Sequence, residues 1–169
     1  HAEELEYGAF GFACFTRLPT KSLATRFFAH GLFPSLVMEL EHDGKPLTVI
    51  ATHPPPPMSS HTAAIWQKQF IEIANFAATI PHDLIVAGDL NATPWCHGIR
   101  LLQTGSGLRF RTAAPVWQPT WGLHLPMMIP IDHVLVKGEL SIMQRTIGPD
   151  LGSDHRPVLV RLLRLVDRA

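Results

Sequence analysis

An Asp-His pair followed by an apolar, strand-like run constrains the fold of this chain more than any other feature. The pair is Asp154-His155, and the run extends from Pro157 to Leu163. On a loop that enters a strand, the pair aims a carboxylate oxygen and a ring nitrogen into the same small volume. That is the geometry needed to hold a divalent metal ion and the phosphate that the ion polarises. Alone, Ser-Asp-His is also an ordinary turn, so the interpretation needs support elsewhere.

Two further acidic motifs give that support. Asp89 follows the apolar run 84–87 within Gly-Asp-Leu-Asn, and Asp132 opens the run 132–136. Polar groups at the carboxyl end of a buried strand are where sites in such sheets usually form. We therefore expect one cleft at one end of the sheets to contain Asp89, Asn91, Asp132, Asp154 and His155.

Length and charge restrict the number of domains and the kinds of partner that we expect for this chain. The 169 residues fit one domain, residues 1–169, and 46% hydrophobic content favours a packed globule. Lys and Arg (14) balance Asp and Glu (14), whereas proteins that bind long nucleic acids usually carry a basic excess. No apolar run is long enough to span a membrane. Cys14 and Cys96 either pair or stay reduced; their spacing leaves both open.

Periodicity predicts mixed secondary structure. Asp43-Gly44 between two apolar runs predicts a hairpin, and Trp66, Phe70 and Ile73 recur at helical spacing after a cap at Ser59 or Ser60. Thr93-Pro94 predicts the start of a short helix. The predicted strands cover residues 10–15, 36–40, 47–52, 84–87, 132–136, 141–147 and 157–163, and the predicted helices begin at 59 or 60 and at 95.

The three acidic motifs, in this order, resemble the endonuclease/exonuclease/phosphatase superfamily of metal-dependent phosphoesterases. The resemblance runs from about Gly8 to Leu163. It implies an α/β (α+β) fold, a four-layer sandwich of two mixed sheets flanked by helices. It also implies hydrolysis of phosphoester bonds, of the phosphodiesterase, nuclease or phosphatase type. The alternative is a non-catalytic fragment or binding module that keeps the scaffold without turnover.

The resemblance also implies roles for individual residues. Asp89 would act on the attacking water, and Asn91 and His53 would contact the phosphate. Asp154 would be a ligand of Mg²⁺ or Mn²⁺. His155 would stabilise the charge on the scissile phosphate, with Asp132 orienting it.

Plainer interpretations stay open for several of these residues. Gly-Asp-x-Asn is an ordinary Asx turn, and Asp132 could simply cap its strand. His53 could be a surface histidine. Trp121, in a Thr-Trp pair that resembles one in the family, is expected to pack, with contact to substrate the lesser interpretation.

The chain departs from the family pattern at its beginning. The family opens with a strand carrying an Asn and a later strand ending in a metal-binding Glu, and neither is found before Tyr7. Glu3, Glu4 and Glu6 are poor substitutes, because a ligand needs a rigid strand end. We therefore expect an N-terminally truncated domain, inactive by itself, that binds Mg²⁺ weakly and self-associates through an exposed sheet edge.

The proline-rich loop 54–57 and the segment 88–95 resemble a bacterial branch with membrane helices before this domain. The resemblance implies a parent anchored in the inner membrane, with this domain outside the cytoplasm and this chain soluble. The substrate could be a nucleic acid, a lipid or a small phosphate ester, since specificity lies in loops. Zero net charge favours a small or lipid ester, as do the apolar loop residues Trp95, Trp117, Trp121, Met127 and Met128.

Overall fold

A computed structural model describes residues 2–5, 12–29, 31, 33–110, 118–122 and 128–165. Glu6, Trp117 and Met127 therefore lie outside the described residues. The strands are β1 (Ala2–Leu5), β2 (Phe12–Phe15), β3 (Thr20–Phe28), β4 (Phe33–His42), β5 (Lys45–Thr52), β6 (Asp83–Asp89), β7 (Asp132–Lys137), β8 (Leu140–Ile147) and β9 (Val158–Arg164). The helices are α1 (Ser60–Thr79) and α2 (His97–Gln103).

A mixed five-stranded sheet forms the centre of the fold, in the order β3-β4-β5-β6-β7. Its neighbours are antiparallel except β5 and β6, which are parallel because α1 connects them as a crossover. The β4–β5 hairpin turns at Asp43 and Gly44, whose φ angles of 53° and 71° are those of a tight hairpin turn. The sequence prediction of this hairpin is confirmed.

Helix α1 begins where its capping residues predict. Ser59 is the N-cap, and its side chain accepts from the Thr62 amide while the Thr62 hydroxyl accepts from the Ser59 amide. The buried face of α1 packs, together with α2, on one face of the five-stranded sheet. That face of the helix consists of Trp66, Gln69, Phe70, Ile73, Ala74 and Ala77.

The opposite face of the sheet packs against the β8–β9 hairpin. Met38 and Val136 of the sheet meet Leu140 and Ile142 of β8 in a second apolar cluster. The α+β class with packed sheets is thus confirmed. Within the ranges that the structure describes, both helices lie on the same outer face, and the β8–β9 and β1–β2 sheets are antiparallel pairs.

Three local features differ from the sequence prediction. β1 and the edge strand β3 were not predicted, because neither carries a clean apolar alternation. β1 contains Glu3 and Glu4, which were expected in an irregular segment. Helix α2 begins at His97 with Cys96 as its N-cap, rather than at residue 95 with Thr93 as its cap, because residues 94–96 form a turn closed by the Cys96 amide donating to the Thr93 carbonyl (3.0 Å).

The two cysteines do not form a disulfide with each other. Cys14 packs against the cluster facing β8–β9, and Cys96 packs against the helical cluster, so the central sheet separates them. Among the helices of the described ranges, none combines the length and apolar character needed to cross a membrane.

Gly88 leaves no room for a side chain between β5 and β6. Its φ of 147° lies in a region that only glycine occupies readily, and a Cβ there would lie 2.0 Å from the Thr52 carbonyl oxygen. No side chain at position 88 therefore fits beside the Thr52 carbonyl. The glycine of the Gly-Asp-x-Asn motif is required by packing as well as by conformation.

Gly88→Ala is expected to lower the free energy of unfolding by about 3 kcal/mol, because strain and a backbone clash add. Gly105→Ala is the control, since Gly105 has a φ of 72° but open space around its Cβ position. It should cost about 1 kcal/mol from strain alone. Urea denaturation measures both, and equal losses would contradict the proposed clash.

Candidate functional site

The pairing of β6 with β7 begins the site. Asp89, the last residue of β6, lies opposite Asp132, the first residue of β7. β5 runs parallel to β6 and ends at Thr52, so His53 emerges at the same edge of the sheet. Three residues far apart in sequence thus meet because their strands end together.

His155 completes this group from the loop before β9. Its Nδ1 donates to Asp132 Oδ2 (2.9 Å), and its Nε2 lies 3.6 Å from Asp89 Oδ2. A carboxylate only accepts hydrogen bonds, so the contact favours the tautomer with its proton on Nδ1. Nε2 is then directed toward Asp89 and the cleft.

His53 faces the same carboxylate oxygen. Its Nε2 lies 3.4 Å from Asp89 Oδ2. The strand end behind it is held by a buried polar network in which Ser35 and Gln69 both hydrogen-bond to Thr52 Oγ1 (2.7 and 3.0 Å). Gln69 was not singled out in the sequence, because its neighbours on the buried face of α1 are apolar and nothing local distinguishes it.

Asn91 forms the expected Asx turn and also lies at the cleft. Its φ is 47°, and its amide donates to Asp89 Oδ1 (2.8 Å). Its side-chain nitrogen donates to the Pro54 carbonyl (3.0 Å), while Trp66 Nε1 donates to the Leu90 carbonyl (2.9 Å). The turn and a position at the cleft are therefore compatible, since the turn is what presents the Asn91 side chain.

The segment 118–122 joins β7 to the loop that carries His155. Thr120 Oγ1, fully buried, accepts from the amides of Ile131 and Asp132 (both 3.3 Å). The Thr120 carbonyl accepts from the Arg156 amide (2.7 Å) on the other side. The segment 118–122 thus sets the spacing between Asp132 and His155.

Asp154 faces the same cleft and is held by Trp121. The indole Nε1 of Trp121 donates to Asp154 Oδ2 (3.2 Å), and the Gly122 amide donates to the Asp154 carbonyl (3.2 Å). The indole hydrogen bond, aided by the nearby His155, holds the pKa of this carboxyl below its usual value. Trp121 was expected to pack; the structure gives it this polar contact, which the Thr-Trp motif alone does not reveal.

Two ionisable residues near the site, Arg145 and His133, contact backbone carbonyls. Arg145 of β8 donates to the Asp132 carbonyl (2.9 Å); burial lowers the pKa of Arg145, and the Asp132 charge opposes this. His133 points to the other face of β7, as strand alternation predicts. It contacts the Ala92 carbonyl (2.6 Å), and burial lowers its pKa.

A cleft of about 760 Å³ lies at this edge of the sheet. Its polar lining residues are His53, Asp89, Asn91, Asp154 and His155. Its apolar lining residues are Pro56, Pro57, Met58, Trp121, Ile129 and Ile131. Of the loop residues that suggested an apolar substrate, Trp121 lines the cleft, whereas Trp95 and Met128 do not.

Ligand atoms of Asp89, Asp132 and His155 lie within 4.8 Å of one another. Asp154 is not part of that trio. Carboxylate oxygens are the donors that Mg²⁺ and Mn²⁺ prefer, so the chemistry of the site suits such an ion.

Packed sheets with acids and imidazoles at the strand ends place this structure in the class of DNase I-like folds. Residues 4–155 match the sequence model described as Endonuclease/Exonuclease/phosphatase family. The chain belongs to that family.

Solved structures agree on the fold. An endonuclease/exonuclease/phosphatase from Beutenbergia cavernae is 19% identical with a TM-score of 0.72, covering 92% of this chain and 47% of that one. A Staphylococcus aureus beta toxin mutant with bound magnesium ions is 17% identical (TM-score 0.64; 88% and 67%). Sphingomyelinase C from Streptomyces griseocarneus is 17% identical (TM-score 0.59; 92% and 67%).

The chain thus spans between about half and two thirds of the length of these structures. A comparison with curated proteins found no significant match.

Trp121→Phe is expected to raise the pKa of Asp154, because the variant keeps an aromatic ring but loses the N–H that stabilises the charged carboxylate. An NMR pH titration of the carboxyl carbon measures the shift. Trp95→Phe, at an exposed indole that does not line the cleft, should leave the Asp154 pKa unchanged. The same Asp154 pKa in the wild type and in Trp121→Phe would remove the assigned cause.

Proposed function

We propose that this chain carries the active site of a metal-dependent phosphoester hydrolase. One observation carries the proposal, the convergence of Asp89, Asp132 and His155 within 4.8 Å at the edge of a cleft. Strand-end carboxylates beside an oriented imidazole are suited to activating water and stabilising phosphate charge. Family membership supports the same chemistry.

Asp89 is the residue that acts on water in this proposal. Its Oδ1 accepts from the Asn91 amide and its Oδ2 faces His53 and His155, so the carboxylate has one orientation. A water beside it gives up a proton and attacks phosphorus in line. The new P–O bond forms as the ester P–O bond breaks, and the displaced oxygen takes a proton from solvent.

Charge on the phosphate oxygens is stabilised by groups around Asp89. His155 donates from Nδ1 to Asp132, and in its imidazolium form it also carries an Nε2–H that can donate to a phosphate oxygen in the cleft. Asn91 and His53 line the same cleft and can also donate to phosphate oxygens. Asp132 acts through His155 by fixing its orientation.

The ion in this proposal is Mg²⁺ or Mn²⁺, held by Asp154. The carboxylate of Asp154 faces the cleft, and its hydrogen bond from Trp121 favours the charged form that a cation needs. A bound ion would supply Lewis acidity to a phosphoryl oxygen. The magnesium ions of the similar beta toxin structure support this choice.

Three wider expectations remain proposals. Residues 1–169 would form one domain, the C-terminal portion of a family domain. The parent would be a bacterial protein anchored in the inner membrane, with this domain outside the cytoplasm, as the resemblance of loop 54–57 suggests. Protease accessibility of the domain in intact spheroplasts tests that location.

In the full-length parent, Asp89→Asn and His155→Ala should each lower turnover by on the order of a hundredfold or more while the fold persists. Asp89 ends β6 and His155 lies on the loop before β9, and both are outside the two apolar clusters. The assay measures hydrolysis of bis(p-nitrophenyl) phosphate at saturating Mg²⁺, with circular dichroism to check folding. Asp43→Asn in the β4–β5 turn and His61→Ala on exposed α1 are matched controls that keep full activity.

Near wild-type turnover in Asp89→Asn or His155→Ala would contradict the assigned roles. Absence of turnover with Mg²⁺ and with Mn²⁺, in this chain and in the whole protein, would favour the alternative of a non-catalytic binding module.

A further inference from the structure

Two buried rings contact the backbone carbonyls on either side of Asn91. Trp66 Nε1 donates to the Leu90 carbonyl (2.9 Å), and His133 Nε2 lies 2.6 Å from the Ala92 carbonyl oxygen. A carbonyl oxygen only accepts hydrogen bonds, so His133 is the donor and its Nε2 carries the proton. Side chains far away in the sequence therefore hold the carbonyls immediately before and after Asn91.

The backbone conformation of Asn91 gives these two hydrogen bonds a task beyond packing. Its φ of 47° lies in the left-handed region, which asparagine tolerates better than most residues but still occupies at a cost. Such a conformation persists where the surrounding contacts determine it. Holding the carbonyls of Leu90 and Ala92 fixes where the chain enters and leaves Asn91, and with it the direction of the Asn91 side chain.

Both rings are themselves held by packing. Trp66 is 6% exposed, and its indole fills the space beside Gly98 of α2, where a Cβ would lie 2.2 Å from the indole Cη2. Glycine weakens a helix interior, so Gly98 is explained by the room that the indole needs. His133 is 5% exposed, and Phe110 packs edge-on against it with the ring centroids 5.4 Å apart.

Neither ring reaches the cleft. Asn91 is among the described residues that line it, whereas Trp66 and His133 are not. Any effect of the two rings on a phosphate bound in the cleft must therefore pass through the turn that carries Asn91.

We propose that Trp66 and His133 are positioning residues, whose hydrogen bonds to the Leu90 and Ala92 carbonyls direct the Asn91 side chain toward a phosphate in the cleft. The effect on turnover rests on the proposed function of the same site. The effect on the turn does not, so the two are measured separately.

The tautomer of His133 in the wild-type chain is the first test. Burial lowers the pKa of His133, so near neutral pH the ring is uncharged and carries one proton. Two-bond ¹⁵N–¹H correlation spectra should place that proton on Nε2. A proton on Nδ1 would leave the Ala92 carbonyl without the proposed donor and would overturn the inference.

His133→Leu and Trp66→Phe remove the two donors one at a time. The Asn91 amide donates to Asp89 Oδ1 within the turn, so it reports the local opening that these variants should increase. It should exchange with solvent at least about tenfold faster in either variant than in the wild type, relative to the amide of the buried Val86, which reports global unfolding.

Two further variants separate positioning from a loss of stability. In His133→Gln a side-chain nitrogen takes a place near that of Nε2 and still donates, so the exchange ratio should return close to the wild-type value. Lys137→Met is the matched control, because Lys137 Nζ also donates to backbone carbonyls, those of Ala77 and Ile80, but at the opposite end of β7 from Asp132. It should leave the exchange ratio unchanged.

A double-mutant cycle in the whole protein tests the effect on turnover. His133→Leu should lower kcat for bis(p-nitrophenyl) phosphate by about tenfold or more at saturating Mg²⁺, because a small misplacement of a group that contacts substrate is costly. In an Asn91→Ala background the same substitution should lower kcat by less than about twofold, since the side chain that it positions is gone. His133→Gln should restore most of kcat, and Lys137→Met should keep all of it.

An exchange ratio in His133→Leu and Trp66→Phe equal to that of the wild type would overturn the inference, as would independent, multiplicative losses of kcat in the cycle. If His133→Leu does not fold, Trp66→Phe and the wild-type tautomer decide the question. Faster exchange of the Asn91 amide without turnover of any ester by the whole protein would instead overturn the proposed hydrolysis and leave the positioning of the turn standing.

Discussion

The hydrogen bond between His155 and Asp132 is the interaction on which the site depends. Because Asp132 engages Nδ1, the other ring nitrogen faces Asp89 and the cleft. The backbone of Asp132 is held from three sides, which fixes the position of its carboxylate. β6 pairs with it, Thr120 accepts from its amide, and Arg145 donates to its carbonyl. The central sheet and the β8–β9 hairpin therefore both act on one imidazole.

The architecture explains why distant residues meet. The parallel pairing of β5 with β6 brings His53 beside Asp89, and Gly88 lets the two strands approach at that level. Segment 118–122 then fixes the distance between β7 and the loop carrying Asp154 and His155. The result is an open cleft lined by both polar and apolar residues. Its carboxylates and imidazoles are the groups on which the proposed phosphoester chemistry depends.

The sequence could predict the elements whose signals are local. The Asp43-Gly44 hairpin, the cap at Ser59 and the apolar face of α1 follow from neighbouring residues, and each is present. The strand-end acids Asp89 and Asp132 were also located correctly at β6 and β7. Their chemical roles stay predictions, as does self-association through an exposed sheet edge.

Other features depend on contacts that no local pattern encodes. The hydrogen bond from Trp121 to Asp154 spans 33 positions, and Gln69 meets Thr52 across 17. The apolar lining of the cleft comes from the proline loop and from Ile129 and Ile131, which lie far along the chain. Strand β3 lacks an apolar alternation because it is an edge strand with one largely exposed side.

The tautomer of His155 tests the central claim most directly. The roles proposed for the other residues at the cleft assume that the Nε2 of His155 faces the cleft. Two-bond ¹⁵N–¹H correlation spectra of the imidazole, recorded where the ring is neutral, distinguish the two tautomers. The account predicts a proton on Nδ1 in the wild type, and loss of this preference in Asp132→Ala. A neutral His155 protonated on Nε2 in the wild type would contradict it.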